Sequence, residues 1–208
     1  EVSGACNTAS ASANVGVIHV PNPAIYTNSG ATTIYDNAQA FPYPSSVRVT
    51  CVPQSIKRAT VTLRGFTHSY PDDVDVLLMT PAGGCVLLMS DAGSGSLANN
   101  INITMDDSAA MALPDSAQLF TGIFRPGNYD TDSDAFPVPA PKAPPATTLG
   151  ALAGSDANGF WSLFVVDDYQ LDSGAINNGW VLRLYWESNP VRIMNACTLP
   201  TGAFRMTL

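Results

Sequence analysis

Residues 68–81, HSYPDDVDVLLMTP, set three carboxylates, Asp72, Asp73 and Asp75, against an apolar run in a chain that is poor in charge. If the run is a strand, alternation puts Asp73, Asp75, Leu77 and Met79 on one face and Val74, Val76 and Leu78 on the other. Two carboxylates would then open a face that continues as apolar. Burying even one unpaired carboxylate costs several kcal/mol, and no Lys or Arg stands nearby in sequence to offset it. A bound cation is the simplest remedy. Ca²⁺ takes about six to eight oxygens, so a single strand cannot complete the site.

Three further acidic loops could converge on it. SDAGSGSLANN brings Asp91, MDDS brings Asp106 and Asp107, and YDTDSDAF brings Asp130, Asp132 and Asp134. The last opens like an EF-hand loop, but Ala135 stands where that loop needs Gly and Pro141 where it needs a bidentate Glu, so an EF-hand is excluded. The competing reading of all these residues is that they form turns and cap strand ends in water. Four cysteines allow three pairings. With antiparallel strands Cys51 and Cys85 could meet, which would leave Cys6 and Cys197 to clasp the two ends to each other, within a chain or across chains. No C-x-x-C spacing supports zinc. No Gly-x-Ser-x-Gly elbow or triad block is present, so no enzymatic activity is expected.

The elements that would have to position these groups are strands. Helical periodicity is nearly absent, and short β-branched or aromatic runs recur between Gly, Pro, Asn and Asp, which predicts an all-β antiparallel sandwich. Strands are expected at 45–51, 59–66, 74–80, 85–90, 99–105, 159–167 and 179–186, with one helical turn in DDSAAMAL capped by Asp107. Residues 125–150 are too rich in Pro for a central strand and read as a long surface loop. In GFWSLFVVD, Trp161, Leu163 and Val165 share one face and Phe160, Ser162, Phe164 and Val166 the other, so both faces should be covered. Outside the body, residues 1–35 and 188–208 read as arms, the second ending in GAFRMTL with Phe204, Met206 and Leu208 on one strand face.

Residues 36–187 resemble the P domain, the jelly-roll module that follows the subtilisin-like domain of proprotein convertases and occurs in secreted bacterial proteins. The resemblance rests on ordered blocks: YPSSVRV, ATVTLRGFTHSYPDDVDVLLMTPAGG, VLLMSDAGSGS, ITMDDSAAMALPDSAQLFTGIFRPGNY and GSDANGFWSLFVVDDYQLDSGAINNGWVLRLYW. The last is the most specific, although Phe160 replaces the family's Thr in Asn-Gly-Thr-Trp. The resemblance implies Ca²⁺ ligands at Asp73 or Asp75, at Asp91, and at Asp106 or Asp107. It also implies a packing role for His68 and a turn role for Asp167, Asp168 and Asp172.

Of the 208 residues 46% are hydrophobic and 12% charged, and the net charge is −8 with a pI near 4.4. That balance excludes a disordered chain and disfavours nucleic acid and acidic lipid as partners. A start at Glu1 with no apolar leader, together with four cysteines, is the pattern of a mature secreted protein. The expected function is therefore structural: a secreted, non-enzymatic, Ca²⁺-stabilised sandwich whose arms add strands to neighbouring copies and build a homo-oligomer or extracellular polymer. The alternative is a monomeric adhesin or carbohydrate-recognition module, with Tyr129, Phe136 and Tyr169 stacking on a glycan.

Overall fold

The computed structural model describes residues 21–52, 55–129, 134–142 and 145–187. Within them the chain forms twelve strands: β1 Ala24–Asn28, β2 Thr32–Ile34, β3 Ser45–Val49, β4 Arg58–His68, β5 Val74–Met79, β6 Cys85–Ser90, β7 Ala98–Met105, β8 Gly122–Phe124, β9 Gly127–Asn128, β10 Gly159–Asp167, β11 Gly174–Ile176 and β12 Trp180–Tyr185. All seven strands expected from alternation are present, each within a few residues of its expected ends. The five short ones, β1, β2, β8, β9 and β11, have two to five residues and too little pattern to read.

The strands form two sheets facing each other across one core. In the first, β4 pairs with β12 and β11 along one edge and with β7 along the other; β1 pairs with β12, β2 with β11, and β8 runs parallel to β7. The second runs β3-β10-β5-β6-β9, antiparallel except for β6 with β9. Alternation explains what lies between them. Val61, Leu63 and Phe66 of β4, Val74, Val76 and Leu78 of β5, Trp161, Leu163 and Val165 of β10, and Trp180, Leu182 and Leu184 of β12 fill the core. Both indoles are fully buried and both spend their N–H: Trp161 donates to the Ala157 carbonyl at 2.9 Å and Trp180 to Ser45 Oγ at 3.0 Å.

The outward face of the second sheet is also covered. Leu77, Cys85, Leu87 and Phe164 form a second apolar cluster beneath Ala140 and Phe136, with Tyr43 and Met79 alongside. Coverage of both faces of β10 is as the pattern predicts, except at Phe160, which is 61% exposed with the Arg48 guanidinium 6.0 Å from its ring centre.

Three expectations change. The body extends into the expected N-terminal arm, because β1 and β2 are strands of the first sheet; residues 1–20 and 188–208 lie outside the described residues. DDSAAMAL forms turns and no helix. Its Asp107 instead accepts the Leu149 and Gly150 N–H groups at 3.0 and 2.6 Å, capping a 3-10 turn at Leu149–Leu152. Finally, Cys85 is a buried thiol, pushed up by burial, and is not bonded to Cys51. Strand β6 turns its Sγ into the outer apolar cluster. Cys6 and Cys197 lie outside the described residues.

Candidate metal centre

Strands β5, β6 and β10 of the second sheet bring carboxylates together at one end. A 3-10 turn, Pro71–Asp73, delivers the chain into β5, where Asp75 is the second residue and pairs with Val166 of β10. On its other side β5 meets β6, and a register irregularity between Val76 and Leu77 accompanies the pairing of Val76 with Met89. Strand β6 ends at Ser90. Asp91 then takes a left-handed φ of 51°, which turns the chain sharply and is a conformation Asp tolerates. Asp134 arrives from the long Pro-rich connection.

One oxygen each from Asp75, Asp91 and Asp134 lies within 4.8 Å of the others. Asp75 is 2% exposed, and its Oδ2 has no hydrogen-bond partner. Burial pushes this carboxyl up to about 8, with the charges of Asp134, Asp168 and Asp91 adding to the shift and a Ser90 hydrogen bond opposing it. Ser90, fully buried, has its Oγ 2.7 Å from Asp91 Oδ2 and 2.9 Å from Asp134 Oδ1. A hydroxyl has one proton to give, so it serves one of these oxygens at a time. Oxygen-only donors with surplus negative charge suit a hard divalent cation, Ca²⁺ before Zn²⁺.

The other acidic candidates separate. Asp73 ends the 3-10 turn, which breaks the alternation that placed it beside Asp75; it lies outside the three-carboxylate group. Burial, then Asp167, Asp172, Asp168 and Asp72, push it up to about 7, and its Oδ2 has no hydrogen-bond partner. Asp106 also lies outside the three-carboxylate group: it is paired with Arg58 and accepts the Ser108 N–H at 2.9 Å and hydroxyl at 2.8 Å. Burial acts to raise its carboxyl, but these partners hold it below the usual range. Asp107 is the cap described above. Asp130 and Asp132 lie outside the described residues.

His68 is fully buried, with Nε2 3.1 Å from Asp167 Oδ2 and Nδ1 2.8 Å from the Tyr70 carbonyl. Asp167 also accepts the Asn37 and Tyr169 N–H groups, each at 3.2 Å. Burial nonetheless leaves its carboxyl raised. The pair therefore ties the ends of β4 and β10 to the turn before β5, the packing role implied for His68. Of the three aromatics proposed to stack on sugar, Tyr129 donates its hydroxyl to the Leu113 carbonyl, Phe136 packs on the outer cluster, and Tyr169 is exposed. Ser90 is not among the residues the sequence singles out; its only local signal is a Ser-Asp pair at the end of an apolar strand.

No family model and no curated protein matches the chain. Among solved structures it is similar to a serine protease of Aeromonas sobria in complex with its chaperone, at 12% identity and a TM-score of 0.39, over 82% of this chain and 28% of that one. The same protease solved by itself matches at 13% identity and a TM-score of 0.35, over 80% and 28%. The chain thus spans just over a quarter of the length of these neighbours. Among the described residues no helix is long and apolar enough to cross a membrane.

Proposed function

We propose that this chain is a non-catalytic, P-domain-like β-sandwich that holds a calcium ion between Asp75, Asp91 and Asp134 and serves a structural role outside the cell, assembling with copies of itself through its terminal segments. The observation that carries the metal part is the Asp75 carboxylate. It is buried in a strand whose face continues as apolar, one of its oxygens lacks a partner, and two further carboxylates face it. A divalent cation supplies the positive charge that this group needs, and the three side chains would hold it. Ser90 Oγ stands between two of them and donates to one at a time.

The test is calcium titration of the whole chain by isothermal calorimetry, with melting followed in Ca²⁺ and in EGTA. Saturable binding together with a higher melting temperature in Ca²⁺ is expected, and both should be lost in Asp75→Asn. A chain that takes up no calcium and melts identically in the two buffers is not a calcium protein. Support for assembly comes from composition: GAFRMTL and VGVIHV are strand-like apolar runs beyond the described sandwich.

A further inference from the structure

Residues 134–142 form a strap across the outward face of the second sheet. The chain leaves β9, which pairs with the end of β6 at Met89 and Ser90, and comes back to the same strand where Ala146 exchanges hydrogen bonds with Cys85 and Leu87 at 2.9 Å. Between these points Ala140 joins the outer apolar cluster of Leu77, Cys85, Leu87 and Phe164, and Phe136 packs against that cluster. Pro137, Pro139 and Pro141 have no N–H to offer the sheet, and the Ala140 N–H is spent inside the strap on the Pro137 carbonyl. Side-chain bonds fasten the strap to the body, among them Tyr43 hydroxyl to the Pro137 carbonyl at 3.0 Å and Ser90 hydroxyl to Asp134 at 2.9 Å.

We infer that the cation at Asp75, Asp91 and Asp134 is the latch of this strap: its binding ties the strap to the sheet at Asp134, and its removal lets the strap lift from the apolar cluster and expose Cys85. The inference rests on the reading of the three carboxylates as a calcium centre. Asp75 and Asp91 belong to the end of the sheet, whereas Asp134 is the first described residue of the strap. Without a cation the like charges oppose the approach of Asp134 to the sheet; with one, the same charges draw the strap down. At its Asp134 end the strap is then held mainly by the apolar contacts of Phe136 and Ala140 and the Tyr43–Pro137 hydrogen bond, while Ala146 keeps its far end on β6; segments held by few contacts open locally at low cost.

Cys85, 8% exposed beneath the strap, reports the opening. The whole chain is treated with N-ethylmaleimide in excess Ca²⁺ and in EGTA, and modification of the Cys85 peptide is timed by mass spectrometry. Calorimetry on the same sample measures calcium binding. With calcium at about a hundred times its Kd, labelling of Cys85 should slow about a hundredfold relative to EGTA. Phe136→Ala leaves the three carboxylates in place; it should still bind calcium and should label faster in calcium than the wild type. Calcium binding with the same labelling rate in both buffers would overturn the latch and leave the centre standing. No binding in calorimetry would overturn the centre, and the latch with it.

Discussion

Asp75 carries a carboxylate oxygen without a partner in a strand that is otherwise apolar, and its substitution should therefore act with opposite sign in the two metal states. In EGTA, Asp75→Asn removes a group that resists ionisation there, so the variant should be as stable as the wild type or more stable by about 1 kcal/mol. In calcium it loses the ligand and should be the less stable of the two. Urea unfolding in both buffers reads this crossing; curves ordered the same way in each would mean that no cation compensates the carboxylate. Asp106 makes the opposite case. Its carboxyl is held low by Arg58 and Ser108, so the pairing contributes fully above the unfolded pKa of about 4 and is lost as pH falls through the lower folded value. Because Arg58 is partly exposed, Asp106→Asn should cost only about 1 kcal/mol at neutral pH. That gap should narrow as pH falls below the unfolded value of about 4, which urea unfolding at neutral and at acid pH would show; an equal gap at both would place the contribution in packing.

At the scale of elements, the turns decide where the strands can meet. Gly179, φ +67°, enters β12 so close to β1 that a Cβ would stand 2.0 Å from the Asn28 carbonyl oxygen. Gly179→Ala should destabilise the fold by about 2 kcal/mol or more, read as a fall in the urea midpoint with the slope unchanged. An alanine tolerated there without loss would mean that the β1 edge gives way freely. Asp107 binds a turn distant in sequence, and Asp107→Ala should cost about 1 kcal/mol, the usual worth of a cap. The long strands were legible because Val, Leu and Trp alternate over six or more residues. Asp107 reads along the chain as a helix cap or a calcium ligand, and its actual role is not legible there because its partners, the Leu149 and Gly150 N–H groups, are far along the chain.

For the whole molecule, every described strand lies between Ala24 and Tyr185, so a chain trimmed to residues 21–187 should keep the sandwich while losing whatever the termini do. If the terminal segments assemble the protein, light scattering after size exclusion should show the full chain as an oligomer and the trimmed one as a monomer. Equal masses would remove assembly from the reading and bring forward a monomeric recognition module.

The sequence by itself determined that the chain is an all-β sandwich and that its carboxylates crowd the loops, because alternation and turn chemistry are local and act over a few residues. It also marked Asp73 and Asp75 together as anomalous, since carboxylates that open an apolar strand face are visible without any fold. Tertiary structure alone decided which carboxylates meet. Asp91, Asp106, Asp107 and Asp134 all sit in acidic turns and look equivalent along the chain. Strand order separates them: β5 next to β6 brings Asp91 beside Asp75, and the strap brings Asp134 onto the same end, whereas Asp106 faces Arg58 and Asp107 a distant turn. The physical reason is that a cation site needs oxygens within a few ångströms, and for residues this far apart in sequence that distance depends on the packing of the sheets.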